Sequence, residues 1–413
     1  MTDARGRRRV LGVTSSFPVE GAPGASTFLE DWARELGALG NDVHMLAPAA
    51  GRRRGSLERR RHYTVETFGY ARPKAWQSLA YGSGMFDNMR RNPLAALQAV
   101  PLLARMVGLV RGRAVGADLV HAHWLVPSGL AAALACHGAS IPLVVTVHST
   151  DLHLLKRLPF GRDVARFIAA RASALHFVAP YLERSFREWL SSDPLSVPRT
   201  YVVPMGFGEG FTAAPLSAVP RLGFLGRLVP IKGVDALLHA CASVGITDVT
   251  IAGDGCERDA LHATARRLGV PACFLGRLDG AQRSAFFRDI DVVVFPSRRY
   301  RQGRTEGTPV AVLEALRSGR IVVASETGGI GDVITDGVNG FLVPPDDTPA
   351  LASRLRDVVS EWHRYRAIGR AAPASVAHLS AARVAAVHDR IYTLCGQWQP
   401  HARLEVAAGG FPS

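Results

Sequence analysis

The chain has 413 residues, of which 47% are hydrophobic and 20% are charged, values typical of a globular protein rather than a disordered one. A single hydrophobic core stops growing at roughly 250–300 residues, so this length predicts two domains. The net charge of +14 is most simply explained by an arginine-rich composition with solvated loops, and it would also suit an anionic acceptor or an anionic membrane. The arginines lack the interleaved aromatic residues of a nucleic-acid groove, so we expect no nucleic-acid partner.

Targeting and redox signals favour a cytoplasmic protein. The apolar run 10–13 after Arg7–Arg9 is too short for a signal peptide, and no stretch approaches the roughly 20 apolar residues of a membrane-spanning helix. The five cysteines form no C-x-x-C pair, which predicts free thiols in a reducing compartment without zinc or disulfides. The basic N-terminal region could still contact the inner face of an anionic membrane peripherally.

The first half of the chain alternates strands and helices up to residue 205. Apolar, β-branched runs predict buried strands at 10–14, 43–46, 119–122, 143–147, 174–178 and 201–203. Apolar residues at helical spacing predict helices at 28–39, 94–110, 129–136, 166–170 and 181–189. Residues 50–92 look irregular. We therefore predict a first domain over 1–205, with 94–110 as a core helix that covers its sheet.

A stretch rich in Gly, Pro and Ala, 206–220, is predicted to be a linker. A second series of strands follows at 221–226, 248–252, 272–275, 291–295 and 321–324. Helices are predicted between them at 234–242, 258–268, 281–288 and 309–318, with a short one near 332–335. This series predicts a second domain over 221–382, and residues 401–413 are expected to be a disordered tail.

The alternation of strands and helices predicts an α/β fold with two Rossmann-like parallel-sheet domains that face a cleft. Ligands of such sheets bind beyond the carboxyl ends of the strands. The polar residues that follow strands are therefore the candidates for chemistry.

Two glutamates stand where the strand 291–295 gives way to a helix. Pro309 suits the first turn of that helix, so Glu306 is predicted in the preceding loop and Glu314 inside the helix. Helix N-termini attract phosphates. A carboxylate on each side could hold the two hydroxyl-rich ends of a nucleotide sugar while the diphosphate lies between them.

Two basic residues follow the strand 221–226. Arg227 and Lys232 could both hold a diphosphate. The guanidinium group of Arg227 could donate two parallel hydrogen bonds to it, and the ammonium group of Lys232 could act as a compact positive charge. The chain has only three lysines against 46 arginines. A lysine inside this motif therefore indicates a site that needs a compact ammonium group.

His148 ends the strand 143–147 and is predicted to point into the cleft. A lone histidine usually has a structural role, but the position of His148 at the carboxyl end of a strand favours a role in ligand binding or catalysis. Asp151 is interpreted as a helix cap, and His121 and His123 as packing residues.

Two glycine motifs and one acidic motif give weaker evidence for function than the residues above. Gly21 and Gly24 could let the backbone approach a phosphate, and Gly255 could turn toward the nucleotide or merely form a tight turn. No G-x-G-x-x-G fingerprint occurs, which argues against a dinucleotide oxidoreductase. Asp289 and Asp291 spell D-x-D at the start of a strand, so we interpret them as structural and expect no metal.

Together these features resemble the large family of retaining glycosyltransferases with the GT-B fold, family 4 or group 1. The resemblance rests on E-x7-E at Glu306 and Glu314, on GRLVPIKG at 226–233, and on the run 327–347. It implies that the C-terminal domain binds a nucleotide-sugar donor and the N-terminal domain binds the acceptor. A C-terminal helix at 383–398 would cross back onto the first domain.

The resemblance also implies a role for each site residue. His148, Glu306, Arg227 and Lys232 are the residues expected to take part in catalysis. Arg227 and Lys232 would hold the diphosphate, Glu306 and His148 the transferred sugar, and Glu314 the ribose. The remaining donor contacts would come from Gly24, Gly255, Gly307 and the backbone N–H groups of Thr308 and Val310.

The implied reaction moves a hexose from a UDP- or GDP-linked donor to a hydroxyl of a glycan, lipid-linked or small-molecule acceptor, as in a hexosyltransferase, without a cofactor. The attack would come from the same face that the diphosphate leaves. The chain departs from the family where Pro23-Gly24 replaces two glycines, and where Thr308 and Gly40-Asn41 replace the usual residues.

Two alternatives differ in class from a glycosyltransferase. A nucleotide-sugar epimerase on the same fold would turn over the donor without an acceptor. A non-catalytic protein could use the basic first domain to bind nucleic acid or membrane, although the intact set of donor-binding residues argues against it.

Overall fold

Two parallel β-sheets, one in each half of the chain, organise the protein. The computed structural model describes residues 7–22, 25–51, 53, 55–73, 76–81, 84–190, 199–299 and 305–396. Gly24 and the tail 401–413, which the sequence analysis singled out, lie outside these residues. Helices cover each sheet, and its central strands are buried on both faces, as apolar strands in a parallel sheet require, whereas the edge strands are partly exposed.

The first sheet has eight strands in the order β3-β4-β2-β1-β5-β6-β7-β8. They are β1 (Arg9–Val13), β2 (Asp42–Pro48), β3 (Leu57–Arg59), β4 (Tyr63–Phe68), β5 (Leu119–His123), β6 (Leu143–Val147), β7 (Ala174–Phe177) and β8 (Arg199–Val202). All neighbours pair in parallel except the edge strand β3, which runs antiparallel to β4.

Within the described residues, seven α-helices precede the second sheet. They are α1 (Thr27–Ala38), α2 (Met85–Arg91), α3 (Ala99–Ala114), α4 (Leu130–Ala135), α5 (Thr150–Leu155), α6 (Gly161–Arg171) and α7 (Pro180–Leu190). A 3-10 turn, Pro93–Gln98, runs directly into α3, and a π turn, Leu125–Gly129, runs into α4.

The second sheet has six strands, all parallel, in the order β11-β10-β9-β12-β13-β14. They are β9 (Leu222–Leu225), β10 (Val249–Ala252), β11 (Ala272–Gly276), β12 (Val292–Phe295), β13 (Ile321–Ser325) and β14 (Phe341–Val343). The later helices are α8 (Val234–Val244), α9 (Arg258–Leu268), α10 (Gly280–Asp289), α11 (Val310–Arg317), α12 (Thr348–Ser360), α13 (Trp362–Ser375) and α14 (Ala381–Gly396). The 3-10 turns Pro230–Lys232 and Ala377–Leu379 precede α8 and α14.

Two sequence expectations about secondary structure were wrong, and several elements were not predicted. Residues 50–92 are not irregular, since β3, β4 and α2 lie in them. The alternation of buried Tyr63 and Val65 with half-buried neighbours in β4 was hidden by the surrounding arginines. The short helix expected near 332–335 is a turn, and β14, α12 and α13 were not predicted.

The long apolar helix also differs from expectation. The 3-10 turn and α3 form one helix, Pro93–Ala114, whose 22 residues are long and apolar enough to cross a membrane by length and composition alone. Pro101 is the third residue of α3, next to the junction with the 3-10 turn, and the helical run continues through it. Core helices of soluble proteins meet the same criterion. Here only 22% of the apolar window is buried, so the helix is not the buried core helix that we expected.

The chain crosses between the domains twice, at adjacent points. Residues 203–221 lead from β8 to β9, and α14 returns to pack on α1 of the first domain. The two crossings pair directly, since Phe207 N–H donates to the Leu379 carbonyl over 3.2 Å and Ala381 N–H donates to the Phe207 carbonyl over 2.8 Å. Domain motion would therefore pivot on this paired segment.

Hydrogen bonds fasten α14 into the first domain. Trp32 Nε1 donates to His388 Nδ1 over 3.2 Å, His388 Nε2 lies 3.0 Å from His176 Nδ1, and His176 Nε2 lies 2.6 Å from the Val203 carbonyl oxygen. An indole only donates and a carbonyl only accepts. Both imidazoles are therefore neutral with the proton on Nε2, in agreement with burial, which lowers their pKa values.

The same cluster has the spacing of a metal site, but hydrogen bonds already occupy it. His121, His176 and His388 bring ring nitrogens within 4.8 Å of one another. Thr146 Oγ1 lies between two of them, 2.7 Å from His121 Nε2 and 3.0 Å from His176 Nδ1. The proton on His388 Nε2 fills the lone pair that a metal would need. We therefore assign these histidines to the core.

Candidate active site

The carboxyl ends of the central strands of both sheets face one cleft of about 1590 Å³. The second domain contributes Arg227, Glu306, Thr308, Val310 and Glu314 to its lining, and the first domain contributes His148. Most residues selected from the sequence thus come from separate strand ends and line one cavity, whereas Lys232 and Gly255 lie outside its lining.

Glu306, which lines this cleft, forms an ion pair with Lys232 behind the lining. Lys232 Nζ lies 3.2 Å from Glu306 Oε2, and the two side chains are only 11% and 15% exposed. Gly233 makes the approach possible, because its φ is +63° and a Cβ there would lie 2.1 Å from the Pro296 carbonyl oxygen. The turn after β9 therefore packs against the end of β12, backbone on backbone.

Two glycines hold the loop that carries Arg227. A Cβ on Gly253 would lie 1.8 Å from the Gly226 carbonyl oxygen, and one on Gly255 would lie 2.3 Å from the Leu228 carbonyl oxygen. Leu228 N–H also donates to the Asp254 carbonyl over 2.9 Å. Gly255 therefore supports the loop around Arg227, and its contact with a donor stays a prediction.

His148 projects from the end of β6 into an aromatic pocket. Its ring centroid lies 4.6 Å from that of Trp124 and 5.6 Å from that of Phe28, and its Nε2 lies 3.3 Å from His123 Nδ1. Burial lowers the pKa of His148 to about 3. The imidazole is therefore neutral at physiological pH and can exchange hydrogen bonds with a ligand but cannot supply a positive charge.

Asp151 does not cap a helix by the expected geometry. Ser149 is the N-cap of α5, with φ of +93°, and makes no side-chain capping bond. The buried carboxylate of Asp151 instead accepts hydrogen bonds from the backbone N–H groups of Leu125 (2.7 Å) and His148 (3.1 Å). Burial raises its pKa to about 6. Asp151 thus joins the ends of β5 and β6 and orients His148.

The loop that carries Glu306 is held by the first domain. Tyr181 OH donates to the Glu306 carbonyl over 2.5 Å, Ser149 Oγ donates to the Thr305 carbonyl over 2.8 Å, and Thr308 Oγ1 donates to the Val178 carbonyl over 3.1 Å. The cleft therefore closes over residues 305–308.

Close packing fixes the same loop from both sides. A Cβ on Gly307 would lie 3.3 Å from the His148 carbonyl oxygen, and one on Gly328 would lie 1.9 Å from the Glu306 carbonyl oxygen. Helix α11 begins at Val310, one residue later than predicted, and no side chain caps it. Since Val310 lines the cleft, the positive end of the helix dipole faces the space beside Lys232.

Glu314 lies deep in the cleft with a partner that the sequence analysis missed. Arg283 on α10 pairs through Nη2 with Glu314 Oε2 and donates through Nη1 to Thr27 Oγ1 of the first domain over 3.0 Å. Arg283 Nε is buried and has no hydrogen-bond partner in the part of the chain that the structure describes. Burial raises the pKa of Glu314, and Arg283 opposes that shift.

Other contributors were also invisible in the sequence. Tyr181, Ser149 and Thr27 reach the cleft only because the domains close, and no motif marks them. Arg283 had one local signal, because Asp279 and Gln282 form a capping box that fixes the start of α10 four residues before it. The capping box predicts where α10 begins but does not predict that Arg283 pairs with Glu314.

Comparison with known families agrees with this geometry. A family model described as "Glycosyl transferase 4-like domain" matches residues 23–206, and one described as "Glycosyl transferases group 1" matches residues 219–361. The first match covers strands β2 to β8 of the first sheet but not β1, and the second match covers all six strands of the second sheet.

Two curated relatives and two solved structures illustrate the similarity. A glycogen synthase of Mycobacterium tuberculosis is 28% identical over 71% of this chain and 73% of its own length. A phosphatidyl-myo-inositol mannosyltransferase of the same species is 32% identical over 58% of this chain and 63% of its own length.

Among solved structures, sucrose-phosphate synthase from Thermosynechococcus elongatus superposes with a TM-score of 0.76 at 19% identity, covering 94% of this chain and 99% of the other. Anabaena HepE in complex with UDP-glucose superposes with a TM-score of 0.65 at 18% identity, covering 94% and 99%. These similarities support the GT-B fold predicted from the sequence. The chain belongs to the group 1 glycosyltransferases.

Proposed function

We propose that the protein transfers a hexose from a nucleoside-diphosphate sugar to an acceptor hydroxyl with retention of configuration, in the cytoplasm. The observation that carries the proposal is the arrangement around the start of α11. There the ion pair of Lys232 with Glu306, the Arg227 loop and an uncapped helix N-terminus surround one space. Together they supply the charges that a diphosphate and a sugar need.

The donor would span the cleft from Glu314 to His148. The ribose hydroxyls would bond the carboxylate of Glu314, and the diphosphate would lie over the N-terminus of α11 with Lys232 and Arg227 beside it. The hydroxyls of the sugar would bond Glu306 and the neutral imidazole of His148. Support for a uridine donor comes from the UDP-glucose complex of the structural neighbour.

The reaction would need no side-chain nucleophile. The bond between the anomeric carbon and the diphosphate oxygen breaks, and the acceptor oxygen bonds that carbon on the same face. The acceptor proton passes to the departing diphosphate oxygen. Lys232, Arg227 and the helix dipole stabilise the negative charge that develops there, while closure of the cleft positions the reactants.

A screen of nucleotide sugars tests the proposal. UDP-, GDP- and ADP-linked hexoses are added in turn while the unfolding temperature is measured, because a bound donor stabilises the fold by mass action. We expect one nucleotide to raise the unfolding temperature in the wild type and less so in Glu314→Gln. No shift with any nucleotide sugar would refute the proposal, and an epimerised donor formed without acceptor would favour the epimerase.

A further inference from the structure

The outer face of the helix Pro93–Ala114 is apolar and exposed. Leu94, Leu97 and Val100 are 69%, 71% and 74% exposed. Pro101, Ala104 and Gly108 continue the same exposed face along α3. The opposite face packs into the first domain through Leu102, Met106 and Val110, all fully buried. The helix therefore lies on the domain with its second apolar side uncovered.

A second exposed apolar segment follows α5. Leu158 is 46% exposed and Phe160 is 72% exposed. Both α3 and α5 contact the π turn Leu125–Gly129. The two exposed segments therefore flank the same part of the first domain.

Both segments are basic and lack acidic residues in the sequence. No Asp or Glu occurs between Asp87 and Asp118, or from residue 152 to residue 162. The exposed arginines Arg105 and Arg111 lie on α3, and the exposed residues Lys156, Arg157 and Arg162 flank Leu158 and Phe160. Exposed apolar side chains beside cations match the interface of an anionic bilayer, where the apolar groups enter and the cations bind lipid headgroups.

The apolar character continues from these segments into the cleft. Lining residues of the cleft include Ala99 and Leu103 of α3, Leu130 of α4, and Leu154 and Leu158 from α5 and its following turn. The cleft thus runs from the donor-binding residues to a wall of apolar side chains, and Leu158 belongs both to that wall and to the exposed surface.

From this continuity we propose that residues 94–111 and 154–162 dock on an anionic lipid bilayer, and that the acceptor is an amphiphile whose apolar chain enters the cleft between Leu103 and Leu154. The inference rests on the proposed function and names its acceptor class. A polyanion such as nucleic acid would use the arginines but would gain nothing from exposed leucine, valine and phenylalanine side chains.

Vesicle co-sedimentation of the full chain tests the docking surface. The vesicles contain phosphatidylcholine alone or mixed with phosphatidylglycerol. The wild type should bind the mixed vesicles and bind phosphatidylcholine much more weakly. Leu97→Ser with Val100→Ser should weaken the partition constant about tenfold, and Arg105→Gln with Arg111→Gln about thirtyfold.

Matched controls lie on the second domain and its linker. Val219→Ser with Val338→Ser removes equally exposed apolar side chains, and Arg266→Gln with Arg267→Gln removes exposed arginines of α9. Both control pairs should bind vesicles as the wild type does. Failure of the wild type to bind mixed vesicles at low ionic strength would overturn the proposal, as would equal loss in the controls. If vesicle binding needs the arginines but not Leu97 and Val100, the partner of this surface is a soluble polyanion rather than a bilayer, and the proposal is wrong.

Photo-crosslinking locates the chain of the lipid. Vesicles carry phosphatidylglycerol with a diazirine in its acyl chain, and the labelled peptides are identified by mass spectrometry. Labels on 94–103 and 154–160 are expected, including the cleft residues Leu103 and Leu154. Labels confined to other surfaces would overturn the proposal. The nucleotide-sugar screen separates the two proposals. If only the docking inference fails, a nucleotide sugar still raises the unfolding temperature of the same variants as it does in the wild type. If the proposed function fails, no nucleotide sugar raises the unfolding temperature of any of them.

Discussion

Replacing Arg283 with methionine tests how the ribose end of the site works. Methionine keeps much of the apolar volume of the arginine stem but removes its bonds to Glu314 and Thr27. The Glu314 side chain is only 3% exposed, so the lost guanidinium is not replaced by bulk water. A buried carboxylate that loses its partner tends to take up a proton.

The expected loss of donor affinity follows from the charge of Glu314. A hydrogen bond to a charged group contributes about 1.5–3 kcal/mol and a neutral one about 0.5–1.5 kcal/mol. If Glu314 becomes neutral, its bonds to the ribose weaken by about 1–1.5 kcal/mol, which raises the Kd of the nucleotide about tenfold.

The same change alters how stability depends on pH. Burial holds the pKa of Glu314 above its ordinary 4.5, against the opposing effect of Arg283 and with a further raising effect from Asp31. When the folded pKa of an acid is the higher one, the folded state binds more protons, so the free energy of unfolding falls as the pH rises between the two values. Removal of Arg283 raises the folded pKa further. The variant should therefore lose more stability than the wild type as the pH rises from 4.5.

Titration calorimetry with the nucleoside diphosphate found in the screen measures the loss of donor affinity. Denaturant unfolding across the pH range measures how the free energy of unfolding changes with pH. Arg283→Lys should restore much of the affinity because it returns the charge. Thr27→Val removes only the bond to the first domain and should leave the affinity within about 1 kcal/mol. Wild-type affinity and an unchanged pH profile in Arg283→Met would refute the reasoning.

Three further variants test other parts of the site. Lys232→Ala should lose about 2–4 kcal/mol of transition-state stabilisation, measured as kcat/KM, whereas Arg266→Ala at an exposed position of α9 should leave kcat/KM unchanged. Equal kcat/KM in the two variants would contradict the role of Lys232. Glu314→Gln should raise KM for the donor more than it lowers kcat, and the reverse split would move Glu314 closer to the chemistry. Tyr181→Phe should lower kcat/KM by about 1 kcal/mol, the contribution of one hydrogen bond to the Glu306 carbonyl, and no change would show that this contact does not hold the closed cleft.

Much of the fold follows from the sequence because each buried strand is a continuous apolar run. β1, β5, β6, β12 and β13 were predicted within one residue of their observed bounds. β4 was missed because it lies near the edge of the sheet, where polar and apolar residues alternate and flanking arginines obscure the period.

The placement of the main polar residues at the cleft follows from the amino-acid sequence alone. Parallel α/β units bring the carboxyl ends of their strands to one edge, so Lys232, His148 and Glu306 had to share that edge once their strands were recognised. The partners of these residues depend on tertiary packing. Arg283 on α10 meets Glu314 on α11 within the second domain, whereas Tyr181 of the first domain meets the Glu306 carbonyl across the cleft. Such long-range pairings depend on how helices and domains are oriented, which no local spacing of residues specifies.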